Sequence, residues 1–253
     1  MLAPRNSADD AIVALGMRID IWTDVVCPFC FVGKEHLNQA LESFEHADEV
    51  EVHWRAFELD PTLSAQPEGT LVEAIAKKYQ VSVEDSANSQ RQMAQRLSEY
   101  GVEFDWEHAK FGNTFDAHRL IQFAQDKGKG TQMQDALMRA YLEQGKNIAE
   151  HAVLLDIATG VGCDRSDVAA LLEGDEYGDI VRADEAQAHQ IGVQGVPFFV
   201  LNAKFALSGA QPVEVMLQGL EHAWADEKNL LAQPTQAQGC CGSDGCCGGS
   251  EQQ

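Results

Sequence analysis

Two cysteines separated by two residues, Cys27-Pro28-Phe29-Cys30, carry the clearest chemistry in this sequence. The flanking residues predict that the pair follows a strand and opens a helix. Cys27 then falls at the N-cap, and Pro28 in the first helical position gives up no hydrogen bond it would have made. A sulfur at that cap faces unpaired backbone N–H groups and the positive end of the helix dipole, both of which favour a thiolate. Thiolates, not thiols, attack disulfides. Cys30 lies one turn further in, on the same face as Leu37, Leu41 and Phe44, and is expected to be the more buried of the two. The placement gives Cys27 the attack on a disulfide and Cys30 the resolution of the mixed disulfide. A structural zinc site is the competing chemistry, but no second cysteine pair lies at the usual spacing within the predicted folded region. An inert pair of core thiols does not suit a helix start.

The other cysteines of the seven are distributed unevenly. Cys163 stands alone beside a predicted helix start and reads as a packed structural residue. Cys240, Cys241, Cys246 and Cys247 sit in the glycine-rich tail GCCGSDGCCGG. Adjacent cysteines bond poorly to each other, their α-carbons being about 3.8 Å apart, below the usual disulfide range. Pairing across the Gly-Ser-Asp-Gly turn, most simply Cys241 with Cys246, fits better. Three roles stay open for the tail: a redox relay to Cys27 and Cys30, a soft-metal site for Zn²⁺ or Cu⁺, or none. The linker of roughly 15 residues before it reaches about 20 Å on average and about 50 Å fully stretched, enough to meet the front pair.

The elements that must position the front pair read as follows. Residues 18–26 alternate as a buried strand, 27–44 carry a helical period, and 50–57 alternate again, so the chain opens β-α-β. Six helices are predicted next, at 71–79, 83–100, 114–126, 131–144, 149–159 and 166–173, with Ser166 and Asp167 suiting a helix start. Helices in that number do not fit as single crossovers between strands, and predict a helical insertion within a smaller α/β unit. Two short strands follow, 196–201 and 204–207, across an Asn-Ala turn, then an amphipathic helix over 212–224. Pro197 heads its strand, where a residue without an N–H belongs at an edge or a special turn. A cis Val196–Pro197 bond there would leave the Val196 backbone free to pair with an incoming peptide. The expected organisation is a leader over 1–16, an α/β domain from 17–65 and 191–226, a helical insertion over 66–190, and a flexible linker and cysteine tail over 227–253.

At 253 residues, 45% hydrophobic and 23% charged, the chain has the composition of an ordinary globular protein. Its formal charge of −22 argues against binding a phosphate backbone and for a well-solvated monomer or small homo-oligomer. No apolar run approaches the roughly 20 residues of a membrane helix. Asp9 and Asp10 precede the short apolar N-terminal patch where a signal peptide would carry positive charge. The expected location is the cytoplasm, where clustered thiols point to redox chemistry or metal binding rather than structural bridges.

Strand, CxxC helix, strand, helical insert, Val-Pro strand, strand, helix is the layout of the thioredoxin-like DsbA group. Within it the chain resembles the FrnE-like branch, the dithiol-disulfide isomerases. The resemblance rests on IDIWTDVVCPFCFVGK (19–34), FELDP (57–61), NTFDAHRL (113–120), GVQGVPFFV (192–200) and SGAQP (208–212). It implies a thioredoxin-like α/β fold with a large helical insertion between the two halves of the sheet. It also implies a cis-proline at Pro197 and Cys27 and Cys30 as the catalytic pair, acting on disulfide-containing proteins or small thiols with no required cofactor. A cytoplasmic role linked to oxidative stress is implied as well. The tail segment CGSDGC is similar to a CxxxxC element of some FrnE-like proteins.

Pro28, Phe29 and Val196 are the expected substrate contacts, and His118 is the insertion residue expected either to line the substrate groove or to be a half-buried helix histidine. Periplasmic DsbA-type oxidants place His where this chain has Phe29. Without that cation, reduced Cys27 is less stabilised and the disulfide is expected to be less oxidising. Glutathione-dependent transferases and hydroxychromene-carboxylate isomerases of the same superfamily typically carry Ser in place of Cys27. The two cysteines therefore favour disulfide exchange, with glutathione left as a reductant. A thiol-rich metal-buffering protein on a thioredoxin-like carrier is the alternative from another class.

Overall fold

The computed structural model describes residues 16–232, with side chains through 228. The expectations for a leader over 1–16 and for the four tail cysteines fall almost wholly outside those residues. Strand β1 (Met17–Thr23) leads through a short turn into helix α1 (Pro28–Glu42), and β2 (Val50–Ala56) returns parallel to β1. After the insertion, β3 (Phe198–Leu201) pairs antiparallel with β1, and β4 (Phe205–Ser208) pairs antiparallel with β3. The sheet order is β2-β1-β3-β4, closed by helix α9 (Val213–Ala232). The β3–β4 turn places Asn202 and Ala203 at φ 49° and 56°, the left-handed pair that suits a tight hairpin's twist. Asn202 also anchors that turn, its Oδ1 accepting from the Arg18 N–H at 2.9 Å.

The two-residue period of β1 divides the sheet into two faces. Ile19 and Ile21 pair with Leu201 and Phe199, and all four join the core that α1 and α9 cover. Trp22 points the other way, against Ala188, Val193 and Phe198, and its Nε1–H donates to the Asp184 carbonyl at 2.9 Å. Burial of each large apolar side chain stabilises by about 1.5–3 kcal/mol. A one-residue slip would exchange these for Asp20 under α1, so the register is strongly specified.

The insertion comprises α2 (Leu71–Tyr79), α3 (Val83–Ser98), α4 (Phe115–Gln125), α5 (Gly130–Leu142), α6 (His151–Gly160), α7 (Arg165–Glu173) and α8 (Gly178–Gln190). Helices α4, α5 and α8 rest on β2. Edge strands present unpaired backbone groups, and here α4 satisfies them. The Trp54 N–H donates to Gln125 Oε1 at 2.7 Å, and the Trp54 carbonyl accepts from Gln122 and Gln125, each at 3.0 Å. Arg55 adds an ion pair to Asp184 of α8 at 2.8 Å.

Several boundaries differ from the sequence expectation, each for a physical reason. Helix α8 is a seventh helix beyond the six expected, and its N-cap Tyr177 takes φ 64° with no side-chain capping bond. The cap of α7 is Asp164, whose carboxylate accepts from the Ser166 and Asp167 N–H groups, so the helix starts before Ser166. Helix α9 continues through Asp226 to Ala232, shortening the expected linker. Strand β3 begins only at Phe198, since Pro197 has no N–H to give a ladder.

Candidate active site

The turn Asp24-Val25-Val26 follows the buried strand and delivers Cys27 in extended conformation, φ −91° and ψ 111°, at the N-cap of α1. The Cys27 carbonyl accepts the first helical bonds from the Cys30 and Phe31 N–H groups at 3.0 and 3.2 Å. Its side chain makes no capping bond. The sulfur instead lies 3.8 Å from the Val196 carbonyl oxygen. Val196 and Pro197 are joined by a cis peptide, as the resemblance implies. The Pro197 carbonyl is tied to the Gly209 N–H at 2.8 Å, which fixes this corner to the end of β4.

Both sulfurs belong to free cysteines, and both residues are nearly enclosed, Cys27 at 4% and Cys30 at 2% exposure. The contrast in burial expected between them is therefore slight. Burial pushes the Cys30 thiol well up, and the neighbouring Cys27 adds to this. Around this pair, Phe29 is 48% exposed while Pro28 and Val196 are half-buried and Pro197 is buried. Phe29 therefore presents the apolar surface of the motif.

His118 does not line a surface groove. It is 1% exposed on α4, and its Nε2 stands 3.5 Å from Asp24 Oδ1. Asp24 is equally buried, with Oδ2 accepting from the Leu59 N–H at 2.7 Å. Nearby, the Glu58 carboxylate is enclosed between Arg182, at 2.5 Å, and the Asn113 side-chain amide, at 3.0 Å. Burial pushes Glu58 above the usual carboxylate range. The Tyr141 hydroxyl is likewise pushed up, by burial first and then by Asp24 and Cys27.

Sequence reasoning assigned no role to Asp24, Glu58, Tyr141 or Gly33. The available signals were an acidic residue closing an apolar strand and a glycine inside a helical period. Among the described residues, no cluster of three or more His, Cys, Asp or Glu is arranged to hold a metal.

The DSBA-like thioredoxin domain family matches residues 18–221, and the chain belongs to it. The probable DsbA oxidoreductase SCO1869 from Streptomyces coelicolor is 35% identical, with a TM-score of 0.80 over 92% of this chain and 100% of that one. A putative protein disulfide isomerase from Nitrosomonas europaea shares the fold at 16% identity, with a TM-score of 0.65 over 84% of this chain and 98% of that one. The uncharacterized protein YwbO of Bacillus subtilis is 28% identical over 187 residues, 73% of this chain and 86% of its own length. Family membership, with the 35%-identical probable oxidoreductase, places the chain among thiol-disulfide oxidoreductases at the level of the family. Among the described residues, no helix is long and apolar enough to cross a membrane.

Proposed function

We propose that this chain exchanges disulfides with proteins or small thiols in the cytoplasm, as a member of the FrnE-like branch, with Cys27 as nucleophile and Cys30 as resolving thiol. The observation that carries the reading is the Cys27 sulfur at the start of α1, 3.8 Å from the Val196 carbonyl beside the cis Pro197 bond. A substrate disulfide docked over Phe29 and Val196 is attacked by the Cys27 thiolate. One substrate sulfur departs with the electron pair, and the other remains bonded to Cys27. Attack by Cys30 on the Cys27 sulfur then releases the second substrate thiolate and leaves a Cys27–Cys30 disulfide. Run backwards, the same steps oxidise a substrate dithiol, and release before resolution permits isomerisation. Glutathione is the proposed reductant that returns the pair to the dithiol form.

Insulin reduction and refolding of scrambled ribonuclease test this reading in wild type, Cys27→Ser and a version ending at Gly239. Activity is expected to vanish in Cys27→Ser, and unchanged activity there would refute the reading. Loss in the shortened version would assign the tail thiols a relay role.

A further inference from the structure

We propose that His36 is a positioning residue for substrate binding. It ties the loop that braces the Pro197 corner to helix α1, and so holds the Val196 backbone in place for an incoming peptide disulfide. The proposal rests on the reading of Cys27 and Cys30 as an exchange pair.

His36 lies on α1 beyond the thiols, and it is buried with both ring nitrogens engaged. Nδ1 stands 2.6 Å from the Gln211 carbonyl oxygen, and Nε2 stands 2.6 Å from the Tyr100 hydroxyl. A carbonyl oxygen only accepts, so Nδ1 carries a proton and donates it to this bond. In the neutral ring Nε2 then accepts from the hydroxyl of Tyr100, which follows α3 and whose ring centroid lies 5.7 Å away. The bond that Tyr100 makes thus sets which nitrogen is protonated and how the imidazole is turned. Three segments far apart in sequence meet at this one side chain: α1, the turn after α3 and the loop before α9.

The Gln211 end of the link leads to the site. The Gln211 N–H donates to the Gly209 carbonyl at 2.9 Å, and its side-chain amide donates to the Ser208 carbonyl at 2.7 Å. The Gly209 N–H donates in turn to the Pro197 carbonyl at 2.8 Å. Pro197 adjoins Val196, whose carbonyl oxygen lies 3.8 Å from the Cys27 sulfur. None of Ser208, Gly209, Ala210, Gln211 and Pro212 is buried. Packing alone therefore holds this loop weakly, and hydrogen bonds must fix it. Gly33, on the same face of α1 as His36, rests against Pro197 itself. The helix that carries the thiols thus holds the corner at two points, directly at Gly33 and through the loop at His36.

The test compares two substrates. A disulfide-linked peptide has a backbone that can pair with Val196, whereas the aromatic disulfide dithionitrobenzoate has none. His36→Gln removes the donor from the Nδ1 position. The peptide KM is expected to rise about fivefold to tenfold, the worth of one or two hydrogen bonds, with kcat less affected. Release of the first coloured thiolate from dithionitrobenzoate should stay within about twofold of wild type, since it needs only Cys27. His36→Asn returns an amide N–H near the Nδ1 position and is expected to bring the peptide KM back to within about twofold of wild type. Equal impairment of the two variants would overturn the proposal. So would an equal loss with both substrates, or an unchanged peptide KM beside a lowered thermal midpoint. If neither His36 variant folds, Gln211→Leu frees the same loop from Ser208 without touching α1. It is expected to raise the peptide KM selectively, and no rise would overturn the proposal equally. Failure of the underlying reading looks different: Cys27→Ser would then turn over the peptide as fast as wild type.

Discussion

Gly33 lies directly against Pro197: a Cβ at position 33 would sit 2.7 Å from the Pro197 Cγ and 3.2 Å from the Phe199 ring. A helix one turn beyond the thiols and the cis-proline corner therefore touch with no room for a methyl group. Gly33→Ala must push one of them aside. Overpacking of this kind costs about 1–3 kcal/mol, and the displaced corner carries the Val196 carbonyl that faces Cys27. The expected result is a lower denaturant midpoint together with slower insulin reduction, measured on the same preparation. Unchanged kinetics with a lowered midpoint would show that the helix, not the corner, gives way.

Cys27→Ser and Cys30→Ser are expected to differ in kind. The first removes the attacking sulfur and abolishes exchange. The second leaves attack intact but strands the substrate on Cys27, so mass spectrometry of a Cys30→Ser reaction should show a covalent adduct. An adduct on Cys30 in Cys27→Ser would reverse the assigned roles.

Phe29 sets the expected redox poise. No imidazole stands between the cysteines to support the Cys27 thiolate, so the potential is expected near the isomerase and glutaredoxin values, roughly −180 to −230 mV. Phe29→His should make the disulfide more oxidising. A glutathione-equilibrium titration reads both, and a wild-type value above about −140 mV would contradict the argument.

Arg55 bridges two carboxylates with opposite pH behaviour, Asp20 at 2.7 Å and Asp184 at 2.8 Å. Burial raises Asp20, but the hydrogen bonds from Arg18 and Arg55 outweigh it and hold the group below its usual range. Its folded value is depressed, so its stabilisation is present above the unfolded value of about 3.9 and is lost as pH falls through the folded one. Asp184 is pushed up by burial first, so it favours folding below the unfolded value and loses that as pH rises through its folded one. Asp20→Asn should flatten the acid limb of stability, read as thermal midpoints over a pH series. An unaltered slope would place the acid sensitivity elsewhere.

What the sequence made legible was local. Strand period, Cys27 at the cap, Pro28 behind it and the Asn202-Ala203 turn are encoded within a few neighbouring residues, and each stands where expected. Membership of the family and the inserted helices were legible for the same reason, as ordered segments. The companions of the thiols were not. Asp24 meets His118 only because α4 settles on β2 through Gln122 and Gln125, and no periodicity in either segment announces that contact.

The pairing of Trp22 with Phe198 joins the first strand to one synthesised only after the whole insertion. Contacts so distant along the chain are slow to form, because a long loop must close before they reward it. On a ribosome making about 5–20 residues per second, β1 and the CxxC helix wait many seconds for their partner strand. During that interval the two thiols lack the proline corner that later closes over them. A newborn chain is therefore at its most vulnerable to stray oxidation or alkylation before its own active site exists, and the reducing power of its surroundings decides how much of it matures.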